Sequence, residues 1–146
     1  MDTQIFDQYA SAIRAAASPG DPSLRMAAEG QIEIFYAPFE AVNSQAKLVL
    51  VGITPGRVQA ANALAEARRQ LAAGATSGEA MRKAKEVGAF SGPMRANLTA
   101  MLDHIGLDRW LGAYFSPSRP PISAERGQRF RRRRTPFQRN ADSVSN

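Results

Sequence analysis

Residues 47–56 read KLVLVGITPG, and this stretch decides the fold that we expect for the chain. Residues 47–51 form an unbroken aliphatic run, which is typical of a parallel strand covered by helices on both faces. Thr54 followed by Pro55 suits the N-cap and first position of a helix, because threonine can accept a bond from an unpaired amide and proline there loses none. We therefore predict a buried strand that leads through a loop into a helix.

Two elements are predicted before this unit. Residues 3–17 repeat apolar side chains at every fourth position, which indicates an amphipathic helix. Residues 23–28 are expected to add a short turn of helix, and the β-branched and aromatic residues 32–36 predict a strand. One helix and one further strand thus precede the central unit.

Three helices are predicted after the loop. The first runs from residue 55 to about residue 73 and ends at Gly74, and four of its positions should face inward: Val58, Ala61, Leu64 or Ala65, and Leu71. Thr76 and Glu79 have the spacing of a capping box and open a polar helix, which we expect to be a solvated surface helix. Residues 93–105 predict a helix that packs on the core through Met94, Leu98, Met101, Leu102 and Ile105.

The formal charge of +6 lies entirely in the carboxyl-terminal tail. Residues 1–118 contain 11 Lys and Arg against 11 Asp and Glu, whereas residues 119–146 contain 8 Arg against 2 acidic residues. The tail is rich in Arg, Pro and Ser and has no apolar period, so we expect residues 113–146 to be disordered. It is either a native basic tail or the out-of-frame, truncated end of a longer domain.

Composition excludes several kinds of site. The chain has no cysteine and a single histidine, so a disulfide framework or a zinc site is not expected, and we predict no metal and no cofactor. No apolar run approaches the ~20 residues that a bilayer requires. We expect a cytoplasmic monomer without a membrane partner, built as an α/β domain over residues 1–112 with a small or partial parallel sheet and flanking helices.

The loop at residues 52–56 is the candidate working site. It leaves the predicted carboxyl end of a strand and directs helix amides at one point, which is where open α/β sheets bind ligands. It matches neither the P-loop pattern nor the Gly-x-Gly-x-x-Gly fingerprint of dinucleotide sites. A tight strand-to-helix turn without any ligand is the alternative interpretation.

Residues 48–56, LVLVGITPG, resemble the first motif of the uracil-DNA glycosylase superfamily, in which mismatch-specific and thymine-DNA glycosylases have Gly-Ile-Asn-Pro-Gly after a buried strand. Residues 90–107 are similar in placement to a later helix of those proteins, and the resemblance covers about residues 31–112. It implies base-excision DNA repair, in which a deaminated base is flipped out of DNA and its N-glycosidic bond is hydrolysed without a metal.

The resemblance also implies roles for the loop residues. Thr54 would take the catalytic position that orients the attacking water, and the loop backbone would contact the base through Gly52, Ile53, Pro55 and Gly56. The family has Asn or Asp where this chain has Thr54, and a hydroxyl is no general base near neutral pH. The family's late His-Pro-Ser or Asn-Pro-Ser loop has no clear counterpart either, so we expect activity to be weak or lost.

The alternatives to a DNA glycosylase are a non-catalytic nucleic-acid-binding protein and an inactive truncated product. For a DNA glycosylase and for a nucleic-acid-binding protein, DNA is the expected partner. The basic tail would hold phosphates through Arg131, Arg132, Arg133 and Arg134. An arginine run of this kind supports binding that is independent of base sequence.

Removing residues 119–146 should flatten the salt dependence of any DNA binding. Each phosphate contact contributes about 0.9 to the slope of log affinity against log salt on duplex DNA, so five arginine contacts should give a steep fall. Fluorescence anisotropy at several salt concentrations measures both slopes. An unchanged slope in the shortened chain would mean that the DNA-binding surface lies outside the tail.

Overall fold

The computed structural model describes residues 2–111, in which five α-helices, one 3-10 turn and two strands follow one another. We name them α1 (Gln4–Ala15), β1 (Arg25–Glu29), β2 (Ile32–Phe35), α2 (Arg57–Ala72), α3 (Ser77–Gly88), α4 (Pro93–His104) and α5 (Leu107–Leu111), with the 3-10 turn at Pro22–Leu24. Within these residues no helix combines the length and the apolar character needed to span a bilayer. The prediction about residues 113–146 lies outside the described residues.

Helix α1 confirms the first predicted helix and is tied to α2 at its carboxyl end. Phe6 and Ile13 are fully buried. Arg68 of α2 donates from Nε to the Ile13 carbonyl at 3.1 Å and from Nη2 to the Ala16 carbonyl. A cation in this position satisfies carbonyls that have no partner within the helix and opposes the helix dipole. Arg68 therefore fixes where α1 ends and how it meets α2.

Strands β1 and β2 form an antiparallel hairpin that turns at Gly30, whose φ of 58° suits glycine. Strand β2 confirms the strand predicted at residues 32–36. The helical turn predicted at residues 23–28 is confirmed only for residues 23 and 24, which belong to the 3-10 turn, whereas residues 25–28 lie in strand β1. Most hairpin side chains are exposed, and the residues on either side of the hairpin enter the core, where Leu24 is fully buried and Tyr36 is 3% exposed.

Helices α2 and α3 pack against each other through small side chains. The buried residues of α2 are Ala60, Ala63, Leu64, Ala67 and Leu71, and those of α3 are Ala80, Met81, Ala84 and Gly88. Alanine and glycine allow two helix axes to approach closely. A Cβ added to Gly88 would lie 2.7 Å from the Cβ of Ala63 and 3.0 Å from the carbonyl oxygen of Gln59. We call these nine buried residues the α2–α3 seam.

The seam corrects our expectation that α3 is a solvated surface helix. Its start is as predicted: the Thr76 amide donates to Glu79 Oε2 at 3.0 Å, and the Glu79 amide donates to Thr76 Oγ1 at 3.4 Å. The composition of α3 looked polar because its buried face uses alanine and glycine, which carry little hydrophobic signal. Packing against α2 makes α3 part of the core.

Helix α4 is held mainly at its amino end. Its Arg95 donates from Nη2 to the carbonyls of Glu86, Val87 and Ala89 at 3.1, 3.2 and 2.6 Å, which caps the end of α3. The core-packing face predicted for this helix is largely wrong, because only Leu102 of that set is buried. Three of its other members are more than half exposed: Met94, Met101 and Ile105.

The predicted parallel sheet is also corrected. The two described strands pair only with each other, and residues 47–51 form no strand within residues 2–111. Val49 and Val51 are 71% and 91% exposed, so this segment is not buried. A strand requires a neighbour for its backbone groups, and the hairpin offers none to this segment. The described chain is therefore a helical fold with a small antiparallel hairpin.

The start of α2 differs from the prediction as well. Helix α2 begins at Arg57 after an extended Gly56, so Thr54 is not its N-cap and Pro55 is not its first residue. Val58 is 65% exposed, because the buried face follows the alanines of the seam and not the larger side chains. Gly74 does end the helix as predicted, with a φ of 81°.

Gly88→Ala should destabilise the fold by about 1–3 kcal/mol, because the added methyl group overlaps Ala63 in a packed seam. The matched control is Gly78→Ala in the same helix, where an added Cβ has only ordinary contact with Thr3 at 3.9 Å. That variant should be neutral or more stable by up to ~1 kcal/mol, since alanine favours the helix over glycine. Urea denaturation measures both, and equal effects would contradict the close packing at Gly88.

Candidate functional site

The predicted loop, residues 52–56, lies on the surface and runs directly into the amino end of α2. Ile53 is fully exposed, and Thr54 is exposed beside it. The loop therefore does not line the concave site that we expected at the end of a buried strand. Its attachment is local: the Gly56 amide donates to Gln59 Oε1 at 3.1 Å, and the Gly56 carbonyl accepts from the Ala60 amide at 2.9 Å.

The first turn of α2 meets the first turn of α4 next to this loop. Gln59 donates from Nε2 to the Met94 sulfur at 3.2 Å, and Asn62 donates from Nδ2 to Ser91 Oγ at 3.0 Å. The amino-acid sequence does not indicate this contact, because residues about 30 apart in a helical chain carry no signal that their helices start side by side. Two helix amino ends, each positive in partial charge, therefore lie close together.

The electrostatics of this region favour an anion. The amino end of α2 has no side-chain cap on its first amides, and the exposed Arg57 is its first residue. Free amides at a helix start bind phosphate or carboxylate oxygens, and a nearby guanidinium strengthens that preference. Arg95 does not add to this charge directly, because its Nη2 is occupied by the carbonyls at the end of α3.

Thr54 has little to support catalysis. Its hydroxyl makes no hydrogen bond to any other residue of 2–111, so no described carboxylate or imidazole holds it in place. A threonine hydroxyl can hold a water molecule but cannot remove its proton near neutral pH. The described surroundings of Thr54 therefore supply no group that would activate a water molecule.

A cleft lies at the start of α1, and its residues are distant in sequence from the loop. Its volume is about 610 Å³, and it is lined by Asp2, Ile5, Phe6, Glu40, Val42 and Ser44. Tyr36 donates its hydroxyl hydrogen to Glu40 Oε1 at 2.6 Å. The other oxygen, Oε2, is shielded from solvent and has no hydrogen-bond partner among the described residues.

The pKa of Tyr36, which lies beside this cleft, is strongly shifted. Tyr9 stacks on Tyr36 with ring centroids 4.6 Å apart and planes 7° apart. Burial first, and the hydrogen bond to Glu40 second, raise the pKa of Tyr36 well above its ordinary value. Glu40 has no paired carboxylate at a spacing that the sequence reveals, and its cleft neighbours Ile5 and Phe6 come from α1, more than thirty positions earlier.

The remaining candidates have modest roles. Asp103 and His104 are adjacent in sequence near the end of α4, and both are exposed. Partial desolvation, and then the nearby Asp108 charge, raise the pKa of Asp103. No cluster of three or more potential metal ligands occurs within residues 2–111. Residues 131–134, the predicted nucleic-acid-binding arginines, lie outside the described residues.

The chain is similar to a known protein whose name states no activity. The chain is 40% identical over 93 residues to an uncharacterized protein, YoxB, of Bacillus subtilis (strain 168). The alignment covers 63% of this chain and 36% of YoxB, so the chain spans about a third of the relative's length. No protein-family model and no solved structure matches the chain.

Tyr36→Phe should lower the free energy of unfolding by about 1–3 kcal/mol, because it leaves Glu40 Oε1 without its donor. The matched control is Tyr9→Phe, which keeps the stacked ring and removes no hydrogen bond seen within residues 2–111.

The same tyrosine predicts a pH dependence. Because the folded pKa of Tyr36 is raised above the unfolded one, its contribution to stability is complete below about pH 10 and is lost above it, at up to ~1.4 kcal/mol per pH unit. Urea denaturation between neutral and alkaline pH should show this fall in the wild type and a shallower fall in Tyr36→Phe. Identical pH profiles for the two proteins would contradict the assignment.

Proposed function

We propose that this chain is a uracil-DNA glycosylase-like protein that binds DNA and excises deaminated bases weakly or not at all. The observation that carries the proposal is the exposed loop at residues 52–56, which leads into the amino end of α2 beside the amino end of α4. Its sequence, Gly-Ile-Thr-Pro-Gly, differs at one position from the Gly-Ile-Asn-Pro-Gly motif that it resembles.

The converging helix starts support DNA as the partner. Unpaired helix amides and an exposed Arg57 are best suited to bind phosphate oxygens. The described residues are balanced in charge overall, so this local positive region would position the phosphates while the basic tail provides most of the affinity. Base-independent contacts of this kind are sufficient for a protein that scans DNA.

The surroundings of Thr54 support the proposal that catalysis is weak. Hydrolysis of an N-glycosidic bond needs a group that orients and activates water next to a base held out of the stack. Thr54 is exposed and is not hydrogen bonded to any described acid or base. An exposed loop also leaves water around the reacting bond, which weakens electrostatic stabilisation of the transition state. DNA binding without catalysis is the alternative, and one assay separates the two.

The assay incubates the full chain with single- and double-stranded oligonucleotides that contain uracil and measures abasic sites. Wild-type excision should be weak or absent. Thr54→Asn restores the residue found in the motif and should raise excision by about tenfold or more if water orientation is what the loop lacks. Ser18→Asn makes the same kind of change at an exposed turn away from the loop and should have no effect.

DNA binding is tested in parallel on the full chain. Arg57→Ala should lower the salt slope of binding by about 0.9, the value for one phosphate contact, whereas Arg14→Ala on the exposed side of α1 should leave it unchanged. Absence of excision by wild type and Thr54→Asn alike would leave only the binding role. Equal slopes for Arg57→Ala and Arg14→Ala would refute the binding role of the loop region as well.

A further inference from the structure

The cleft at the start of α1 is lined by two carboxylates and by apolar side chains. Asp2 and Glu40 supply the carboxylates, and the apolar side chains of Ile5 and Val42 are 45% and 74% exposed. The cleft volume of about 610 Å³ lies within the range of roughly 300–1,000 Å³ of small-molecule sites, which combine apolar walls with a few polar groups. The cleft therefore has the size and the lining of a site for a small ligand.

Each carboxylate uses only one of its two oxygens within residues 2–111. Asp2 accepts from the Gln4 amide on Oδ1 at 3.0 Å, and Glu40 accepts from the Tyr36 hydroxyl on Oε1 at 2.6 Å. Glu40 Oε2 is shielded from solvent and has no donor among the described residues. A carboxylate oxygen without a donor costs free energy, and a ligand that supplies a donor removes this cost. The unused oxygens therefore favour a ligand that donates hydrogen bonds.

The charge of the cleft favours a cation. Neither Asp2 nor Glu40 takes part in an ion pair with another residue of 2–111. Lys85 of α3 reaches the same segment of the chain, but it donates to the Ala41 carbonyl and not to Glu40. Two carboxylates against one ammonium group leave the cleft with negative charge, which attracts a cationic ligand.

Tyr36 holds Glu40 in position before any ligand arrives. The Tyr36 side chain is buried and stacks on the ring of Tyr9 with centroids 4.6 Å apart, so its hydroxyl is a fixed donor to Glu40 Oε1. The last torsion of a glutamate side chain is soft, and a small rotation about it turns Oε2 toward a donor in the cleft. A group that is already ordered loses less conformational entropy on binding, which favours affinity.

We propose that this cleft binds a small organic amine, whose ammonium group pairs with Glu40 and Asp2 and whose apolar body covers Ile5 and Val42. An ammonium group supplies three donors and a positive charge, which match two carboxylates that each have an unused oxygen. The apolar body removes exposed side-chain surface from water. The cleft does not include the loop at residues 52–56, so the proposal does not depend on the proposed DNA function.

The first test titrates the full chain with 2-phenylethylamine and follows the backbone amide chemical shifts by NMR. Saturable shifts should be largest at the residues that line the cleft, with a dissociation constant on the order of 1 mM for a ligand of this size. 2-Phenylethanol keeps the apolar body without the charge and should bind at least about tenfold more weakly. Equal binding of the alcohol, or shifts that do not saturate or that lie elsewhere, overturns the proposal.

The second test removes each carboxylate. Glu40→Gln keeps an acceptor for the Tyr36 hydroxyl but removes the charge, so it should raise the dissociation constant of the amine by about tenfold or more. The matched control, Glu29→Gln, makes the same change at an exposed residue of β1 outside the cleft and should have no effect. Asp2→Asn changes an exposed side chain and should weaken binding by about threefold, so the test stands even if Glu40→Gln disturbs the fold. Unchanged binding in both cleft variants overturns the proposal.

A third titration identifies the source of the ammonium group. Nα-acetyl-lysine methylamide presents the same group on the side chain of a protein residue, and it should bind more weakly than 2-phenylethylamine because its backbone amides gain nothing from the apolar walls. Tighter binding of the lysine derivative would overturn the assignment to a small molecule and give the cleft to a lysine of another protein.

Discussion

The close contact of α2 with α3 is the constraint on which the rest of the described structure depends. Nine buried residues form the seam, and most of them are alanine or glycine. Such side chains contribute little hydrophobic area each, so the stability of the pair rests on how closely the two backbones approach. This is why Gly88 has no room for a Cβ beside Ala63. The α1 helix then packs on this pair and is held there by Arg68.

The seam also determines where the loop stands. With α2 and α3 held together, Arg95 joins the start of α4 to the end of α3, and α4 must begin next to the first turn of α2. The helix amino ends meet for that reason, and not because any residue of the loop draws them together. The loop at residues 52–56 therefore lies beside these helix starts, and its residues are mostly exposed. A surface of this kind suits a long, flexible anion better than a small molecule enclosed in a pocket.

The exposed apolar residues 48–53, next to the loop, are unusual among the described residues. These six residues carry no charge, and three of their β-branched side chains are largely exposed. Exposing such a segment to water is unfavourable, and in most proteins it is paired with a strand or covered by other residues. These residues and the loop are adjacent in sequence, so whatever covers residues 48–53 also sets the surroundings of the loop.

The sequence by itself determined most of the helices and their ends. Capping residues and glycines act within a few positions of the chain, so Thr76 with Glu79, and Gly74, were predicted correctly from local spacing. The apolar period of α1 likewise predicted this helix and its buried Ile13, although Ile5 of the same period is 45% exposed. These features depend on contacts between residues that are close in sequence, and they would be much the same in any fold that contained these helices.

Only the tertiary structure decided what the strongest apolar run would do. Residues 47–51 have the composition of a buried strand, yet a strand needs a neighbour from elsewhere in the chain, and the hairpin of β1 and β2 pairs only with itself. The faces of α2 and α4 were misjudged for a related reason. Large side chains such as Val58 and Met94 carry the hydrophobic signal, while the alanines that pack in the seam carry almost none. Close approach of backbones is a property of three-dimensional packing, and hydrophobic periodicity does not report it.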